Sequence, residues 1–157
     1  MSAQTMPATS SSTLAAWRGA INVGLIAGAV VIYLCAVGIV PIFSGQPLVV
    51  DVISLGQLSL VVTFLAAGFA AARRGPRGPL PGILAGALAG LISGAFLSAV
   101  VLLGGAVNLR AVLPNASPEL FELLTLGSDP VVAGFWIPTL AGVLGGTLGA
   151  ILAVLPR

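Results

Sequence analysis

This sequence of 157 residues has few charges, since only 6% of its residues are Asp, Glu, Lys or Arg. A soluble domain is usually about 25% charged, so the chain lacks the groups needed to cover a surface that faces water. Histidine and lysine are absent. Their absence removes the commonest general base, the commonest metal ligand and any Schiff-base lysine. The single cysteine, Cys35, excludes an internal disulfide and a thiolate metal cluster.

The residues that are present are mostly apolar. Hydrophobic residues make up 58% of the chain and the mean hydropathy is +1.16, which places the sequence among integral membrane proteins. We find no nucleotide-binding motif, no nucleophile and base pair and no zinc-ligand spacing, so we predict a protein that is not an enzyme and that holds no cofactor or metal. The six Arg are too dispersed to form a nucleic-acid surface.

Four apolar segments are each long enough to cross a bilayer as a helix, because about 20 residues at 1.5 Å each match the hydrocarbon thickness of roughly 30 Å. Backbone exposed to lipid must satisfy its own hydrogen bonds, which favours helices. The sequence therefore predicts an all-α membrane protein with a four-span bundle over residues 17–157, preceded by a disordered cytoplasmic tail over the polar residues 1–16. The predicted spans cover residues 21–40 (ending at Pro41), 48–72, 80–107 and 131–154.

The arginines predict the orientation of these spans. With four crossings, one side of the membrane receives five of them: Arg18, Arg73, Arg74, Arg77 and Arg157. Only Arg110 falls on the other side, at or near which all four acids lie. Short loops rich in Arg stay in the cytoplasm, so both termini are predicted to be cytoplasmic.

The only long predicted connection is the outer loop over residues 108–129. Within it Ser117 fits a helix N-cap, Pro118 the first helical position and Glu119 the first turn. The residues that follow are mostly apolar. We therefore expect a short helix on the outer surface of the membrane or against the bundle.

Small residues recur at every fourth position of the third span: Gly82, Gly86, Gly90, Gly94 and Ser98. Residues four apart share a helix face, and glycine lets a second backbone come close. The fourth span carries a companion series and a second pair: Gly134, Pro138, Gly142, Gly146 and Ala150, with Gly145 and Gly149 beside them. The first span contains Gly24 and Gly28.

Three interpretations of these glycines are open. The third and fourth spans pack together within one chain, with Gly142 and Gly146 facing Gly86, Gly90 and Gly94. Alternatively the series forms an interface with another subunit, or it lines a pore. Pro138 lacks a backbone donor and predicts a kink in the fourth span, which serves either as a hinge or as ordinary shaped packing.

Asp51 is the only acid inside a predicted span, about three residues from its outer end. This position suits a helix N-terminus, although an ion or proton role is the alternative. Ser54, Gln57, Ser59 and Thr63 extend the polarity along this span but share no single stripe, since Ser59 and Thr63 point away from Asp51, Ser54 and Gln57. We interpret these polar residues as partners for hydrogen bonds between helices rather than as a continuous path for a polar substrate.

Two stretches resemble bacterial branched-chain amino-acid ABC transporter permeases. The segment LVVDVISLGQLSLVVTFLAAGFAAARRG, residues 48–75, is similar to the early membrane region of that family, and NLRAVLPNASPELFELLTLG, residues 108–127, to an extended N-terminal region of some members. The resemblance implies a bacterial inner-membrane location, a separate ATPase and another permease subunit. Such permeases have more spans and a cytoplasmic loop that couples to the ATPase, so the resemblance implies an N-terminal part or a split subunit.

Two classes of function follow from these observations. The first is a permease-type component or N-terminal fragment of an amino-acid or similar solute transporter. The second is a structural or accessory subunit that docks through its glycine-rich helices to a larger membrane complex. In both classes the expected partners are the lipid bilayer and other membrane proteins.

Overall fold

The computed structural model describes residues 10–43, 50–106 and 130–155, and all regular structure in these ranges is helical. The helices are α1 (Ser10–Phe43), α2 (Val50–Arg74), α3 (Pro79–Ala106) and α4 (Pro130–Val154). Each contains a stretch long and apolar enough to cross a membrane. The predicted all-α architecture with four helices of spanning length is confirmed for this part of the chain, and α2, α3 and α4 end within about two residues of the predicted bounds.

Helix α1 differs from the prediction at both ends. It begins at Ser10, so residues 10–16 are helical rather than part of a disordered tail, and it continues through Pro41 to Phe43. Ala15 and Ala16 are strong helix formers that carry the helix back from the apolar segment. Pro41 lies in the last turn; it lacks the amide hydrogen that would bond the carbonyl one turn earlier, and the helix ends soon after it, at Phe43. Residues 1–9 lie outside the described ranges.

A tight turn over residues 75–78 joins α2 to α3. Gly78 has a φ of 121°, which a residue with a Cβ adopts only with strain. The carbonyl of Gly78 accepts a hydrogen bond of 3.0 Å from the Gly82 amide and so closes the first turn of α3. Pro79 occupies the first helical position, where its missing donor has no cost. The turn makes α2 and α3 antiparallel neighbours.

Helices α2 and α3 form the centre of the bundle, since each packs against all the other helices. Helices α1 and α4 flank this central pair on opposite sides, and the most extensive contact joins α3 to α4. This arrangement places α3 between α1 on one side and α4 on the other, and both of these helices contain glycine.

Small side chains fill the interior of the bundle and large ones cover its exterior. Among the residues whose burial the structure describes, ten hydrophobic ones are buried; seven of these are alanine, and the others are Val23, Val31 and Phe64. The exposed side chains are large and aliphatic or aromatic on every helix; among them are Ile26, Val62, Leu91, Leu144 and Leu152. A soluble protein buries such residues, whereas packed membrane helices place small residues between them and large apolar ones towards lipid.

Candidate functional site

The glycine series of α3 lies against α4, and the two backbones are in direct contact. A Cβ atom added to Gly90 would overlap the carbonyl oxygen of Gly142, and one added to Gly142 would overlap the carbonyl oxygen of Gly90. One turn away, a Cβ added to Gly86 would lie 2.7 Å from the Gly146 carbonyl oxygen and would overlap the Cβ of Ala150. Any residue larger than glycine at these positions has to push the helices apart.

The contact continues in both directions from this centre. Towards the end of α3, a Cβ added to Gly94 would lie 2.8 Å from the carbonyl oxygen of Pro138 and 3.0 Å from the Cα of Thr139. Towards the start of α3, the atom of α4 nearest to a Cβ added to Gly82 would belong to a side chain, the Cγ2 of Val154, at 3.3 Å. The backbones of α3 and α4 are therefore closest near the middle of the two helices and lie farther apart at the start of α3, next to the turn that joins α2 to α3.

A hydroxyl pair joins α3 to α4 next to Gly94. The Oγ of Ser98 lies 2.8 Å from the Oγ1 of Thr139 and 2.9 Å from the carbonyl oxygen of Phe135. Thr139 donates to the same Phe135 carbonyl at 2.7 Å, and Ser98 also lies 3.1 Å from the Gly94 carbonyl oxygen. Each hydroxyl has one proton to donate. Both protons are used when Thr139 donates to the Phe135 carbonyl and Ser98 donates to the Oγ1 of Thr139. This pairing satisfies Ser98, which is 1% exposed.

A second glycine surface of α4 faces α2. A Cβ added to Gly149 would overlap the Leu65 carbonyl oxygen, and one added to Gly145 would lie 2.7 Å from the Cβ of Phe64. On α2, a Cβ added to Gly68 would likewise overlap the carbonyl oxygen of Gly146. Helix α4 therefore uses adjacent glycines to contact two helices at backbone distance.

The contact between α1 and α3 involves glycine on one side only. A Cβ added to Gly24 would lie 3.0 Å from the Cβ of Ile92 and 3.1 Å from the Ala89 carbonyl oxygen. Gly28 faces the ring of Phe96, with the nearest ring carbons inside van der Waals distance of an added Cβ. Gly28 thus accommodates a side chain of α3, whereas Gly24 approaches both a side chain and the backbone of α3.

Four of the arginines that the sequence assigned to one side lie at one end of the bundle. The backbone carbonyl of Arg74 is 3.1 Å from a Cβ position on Gly19, which brings the start of α1, with Arg18, beside the end of α2. Arg73 and Arg77 belong to the same end, since they adjoin the tight turn into α3. The guanidinium of Arg73 stacks over the Phe69 ring at 4.4 Å. Arg110 and Arg157 lie outside the described ranges.

The polar residues of α2 do not form a joint site in the described part of the structure. Asp51 is in the first turn of α2, but its side chain lies outside what the structure describes, and Gln57 is exposed. Thr63 donates a hydrogen bond of 2.7 Å to the Ser59 carbonyl within its own helix. Thr63 therefore uses its one hydroxyl proton within its own helix, because the preceding turn offers an acceptor at the usual distance for a helical threonine.

Sequence reasoning missed Thr139, the partner of Ser98 across the α3–α4 contact. Its position directly after Pro138 and within the small-residue series of α4 is the signal that would have identified it. It also missed Ser93, which is buried and lies 3.0 Å from the Ala89 carbonyl oxygen in its own helix. Both residues are hydroxyls that bond a carbonyl one turn earlier, which lets a polar group sit between apolar helices.

The chemistry available in the described residues is limited. No group of three His, Cys, Asp or Glu side chains in these ranges is placed to hold a metal ion. Cys35 is a free, half-buried thiol on α1. What the arrangement provides is a set of close helix contacts and a cationic end.

Comparison of the chain with protein-family models, with curated proteins and with solved structures finds no match.

The outer loop 108–129, with its predicted short helix at Ser117, Pro118 and Glu119, lies outside the described ranges.

Proposed function

We propose that the chain is an integral protein of the bacterial inner membrane that crosses the bilayer four times with both termini in the cytoplasm. In that membrane it acts as a non-catalytic component of a larger assembly. Four helices of spanning length, large apolar side chains on the outside and arginines at one end support this proposal. Trp17 lies near that end and Trp136 nearer the other, as expected of residues at the two membrane interfaces.

The single observation that carries a component role is the backbone contact between helices. Gly90 and Gly142 leave no space for even one methyl group between α3 and α4, and Gly149 and Leu65 leave none between α4 and α2. A solute needs a passage lined by side chains that bind it weakly. Since these interfaces are closed, a solute has to pass along a surface that this chain shares with a partner.

The assembly that we favour is a solute transporter, with amino acids as the substrate class and a separate ATPase as the energy source. The resemblance of residues 48–75 and 108–127 to branched-chain amino-acid permeases supports this choice. In such an assembly this chain serves as a permease-type component, and the cationic end with Arg73, Arg74 and Arg77 lies on the side of the ATPase.

A structural or accessory subunit of another membrane complex is the alternative. The close backbone contacts of α4 with α3 and α2 support this alternative as much as they support a permease component. The glycine series, however, is occupied within the chain, because Gly86, Gly90 and Gly94 already contact α4. Docking to a partner then requires the exposed aliphatic faces instead of the glycines.

Thiol labelling tests the membrane topology. Single cysteines are placed at Thr5 and at Ala116 in a chain carrying Cys35→Ala, and intact cells are treated with a membrane-impermeant maleimide. We expect Ala116→Cys to react in intact cells and Thr5→Cys to react only after permeabilisation. Labelling of Thr5→Cys alone in intact cells would reverse the orientation, and equal labelling of both sites in intact cells would contradict four spans.

Affinity purification in a mild detergent tests the component role. We expect a membrane partner to co-purify, and in the transporter case an ATPase with it. The isolated chain should neither bind ATP nor carry amino acids into liposomes. Robust uptake by liposomes that contain this chain alone would overturn the component role in favour of a self-sufficient transporter.

A further inference from the structure

An open apolar groove of about 330 Å³ runs between α1 and α2. Its floor is made of small residues, since Ala27 and Ala67 are 7% and 4% exposed. Exposed side chains form its walls, among them Ile26 on α1 and Val62 on α2. The groove exists because α1 and α2 meet through alanines, without the paired glycines that close the α3–α4 contact.

The groove leads to a cationic end. Arg74 lines it, and Arg18 is next to Gly19, which contacts the Arg74 backbone. Both arginines are exposed. The described residues contain one acid, Asp51, at the opposite end of α2, roughly 35 Å from Arg74 at 1.5 Å per residue. In the described part of the chain, therefore, no carboxylate neutralises these two arginines.

The length of the groove matches one leaflet of a bilayer. From Val62 to Arg74 the helix rises roughly 18 Å, and half of the hydrocarbon thickness is about 15 Å. Thr63 is the one hydroxyl in its lining, and its proton is already donated to the Ser59 carbonyl. The groove therefore offers an apolar slot of acyl-chain length that begins at Arg74, with Arg18 at the neighbouring end of α1.

We propose that this groove is a binding site for an anionic glycerophospholipid. One acyl chain lies along Ala27, Ala67 and Ala70, and the phosphate contacts Arg74 and Arg18. This inference rests on the membrane orientation proposed above, in which the arginine end lies at the cytoplasmic leaflet. Basic residues near that leaflet attract anionic lipids, and a pocket between helices adds a fixed position for the chain.

Charge favours a lipid over a second copy of the chain as the occupant. Two copies inserted in the same orientation would bring Arg18 and Arg74 of each to the same depth, so their like charges would repel. An anionic lipid instead supplies the opposite charge at that depth. Arg73 follows a different direction around α2, about 100° from Arg74, and stacks on Phe69, so it provides a neighbouring arginine that does not line the groove.

Native mass spectrometry of the purified full chain in detergent tests the site. Dioleoyl phosphatidylglycerol is titrated against dioleoyl phosphatidylcholine, and sn-glycerol 3-phosphate is the probe without acyl chains. We expect the phosphatidylglycerol to bind more tightly than phosphatidylcholine, and the soluble phosphate to bind far more weakly than either lipid. Arg74→Gln should weaken the phosphatidylglycerol complex about fivefold, the factor expected for one basic residue at a membrane surface.

Two further variants separate the parts of the site. Arg73→Gln removes the same charge from outside the groove and should leave the affinity for phosphatidylglycerol within about twofold of the parent. Ala70→Leu fills the groove and should weaken binding of both lipids. Because Ala70 is half-buried, the thermal midpoint of Ala70→Leu without lipid is compared with that of the parent. If Ala70→Leu does not fold, Arg74→Gln, a substitution at an exposed site, provides the evidence.

Equal affinities for the two lipids, or equal losses for Arg73→Gln and Arg74→Gln, would overturn the lipid site. So would a soluble phosphate that competes with phosphatidylglycerol at equal concentration. These outcomes are distinguishable from failure of the proposed function. Recovery of the chain from the soluble fraction of cells would remove the membrane role itself, whereas a membrane-bound chain with no lipid preference removes only this site.

Discussion

Two contacts between neighbouring antiparallel helices differ in how closely their backbones approach. Between α3 and α4, glycine lies on both helices, and each of Gly90 and Gly142 occupies the space that a Cβ of the other would need. Between α1 and α2, alanines meet at the floor and an open groove remains outside them. Glycine and alanine differ by one methyl group. With glycine on both helices the α3–α4 contact is closed, whereas with alanine on both the α1–α2 contact leaves room for another molecule.

This difference has an energetic consequence. Membrane helices gain little from apolar burial, because lipid is as apolar as the protein interior, so dispersion and interhelical hydrogen bonds hold them together. Both require short distances. The α3–α4 contact has backbone contact along about two turns and the Ser98–Thr139 hydroxyl pair. We therefore expect α3 and α4 to be the most stable pair and α1 to be the helix that separates first.

The largest effect is expected from Gly90→Leu. The added side chain begins where the Gly142 carbonyl oxygen already lies, so the helices have to separate along their closest stretch. Overpacking typically costs about 1–3 kcal/mol, and a backbone neighbour that cannot rotate away places this variant at the upper end. The thermal midpoint of the detergent-solubilised chain measures the loss.

Gly56→Leu is the matched control for Gly90→Leu. It makes the same chemical change on α2 at a position where an added Cβ has nothing within 4 Å. Its midpoint should stay close to that of the parent, as should that of Leu91→Ile, which keeps its volume at an exposed site beside Gly90. Equal midpoints for Gly90→Leu and Gly56→Leu would mean that α3 and α4 are not in backbone contact. Loss of a partner on gel filtration with an unchanged monomer would instead place Gly90 at a subunit interface.

The two contacts also differ in how well the sequence predicts them. Helix number, type and most bounds follow from the apolar segments, because segments of this length and composition favour helices long enough to cross a membrane. The spacing of Gly86, Gly90 and Gly94 selects one face of α3 in advance. The groove between α1 and α2 has no such signature, since Ala27 and Ala67 resemble any other alanine in an apolar segment. Its presence depends on the distance between two helices, which local spacing does not determine.

Ser98→Ala should produce an intermediate loss. The variant removes the hydroxyl that reaches Thr139 and the Phe135 carbonyl across the α3–α4 contact. Thr139 keeps its own bond to Phe135, so no buried donor is left unpaired. Interhelical hydrogen bonds in membranes average about 0.6 kcal/mol, and we expect a loss of about that size.

Thr147→Ala is the comparison for Ser98→Ala, because the Thr147 hydroxyl bonds only the Leu144 carbonyl of its own helix among the hydrogen bonds described. Its chemical-denaturation midpoint should change less than that of Ser98→Ala. A double variant, Ser98→Ala with Thr139→Val, isolates the coupling between the two hydroxyls. Additive losses would show that the Ser98–Thr139 pair does not contribute to holding α3 against α4.

The smallest effect is expected from Gly19→Ala, where the start of α1 contacts the end of α2. The new Cβ would lie 3.1 Å from the Arg74 carbonyl oxygen, so α1 has to move by a few tenths of an ångström. Replacing glycine by alanine inside a helix gains roughly 0.5–1 kcal/mol, which offsets that strain. We expect a net change within about 0.5 kcal/mol of zero.

Gly142→Ala makes the same substitution at the α3–α4 contact and should cost clearly more, because there the new Cβ overlaps the carbonyl oxygen of Gly90. Unfolding of both variants in the same detergent measures the difference, and equal costs would mean that α1 is held as rigidly against α2 as α3 is against α4.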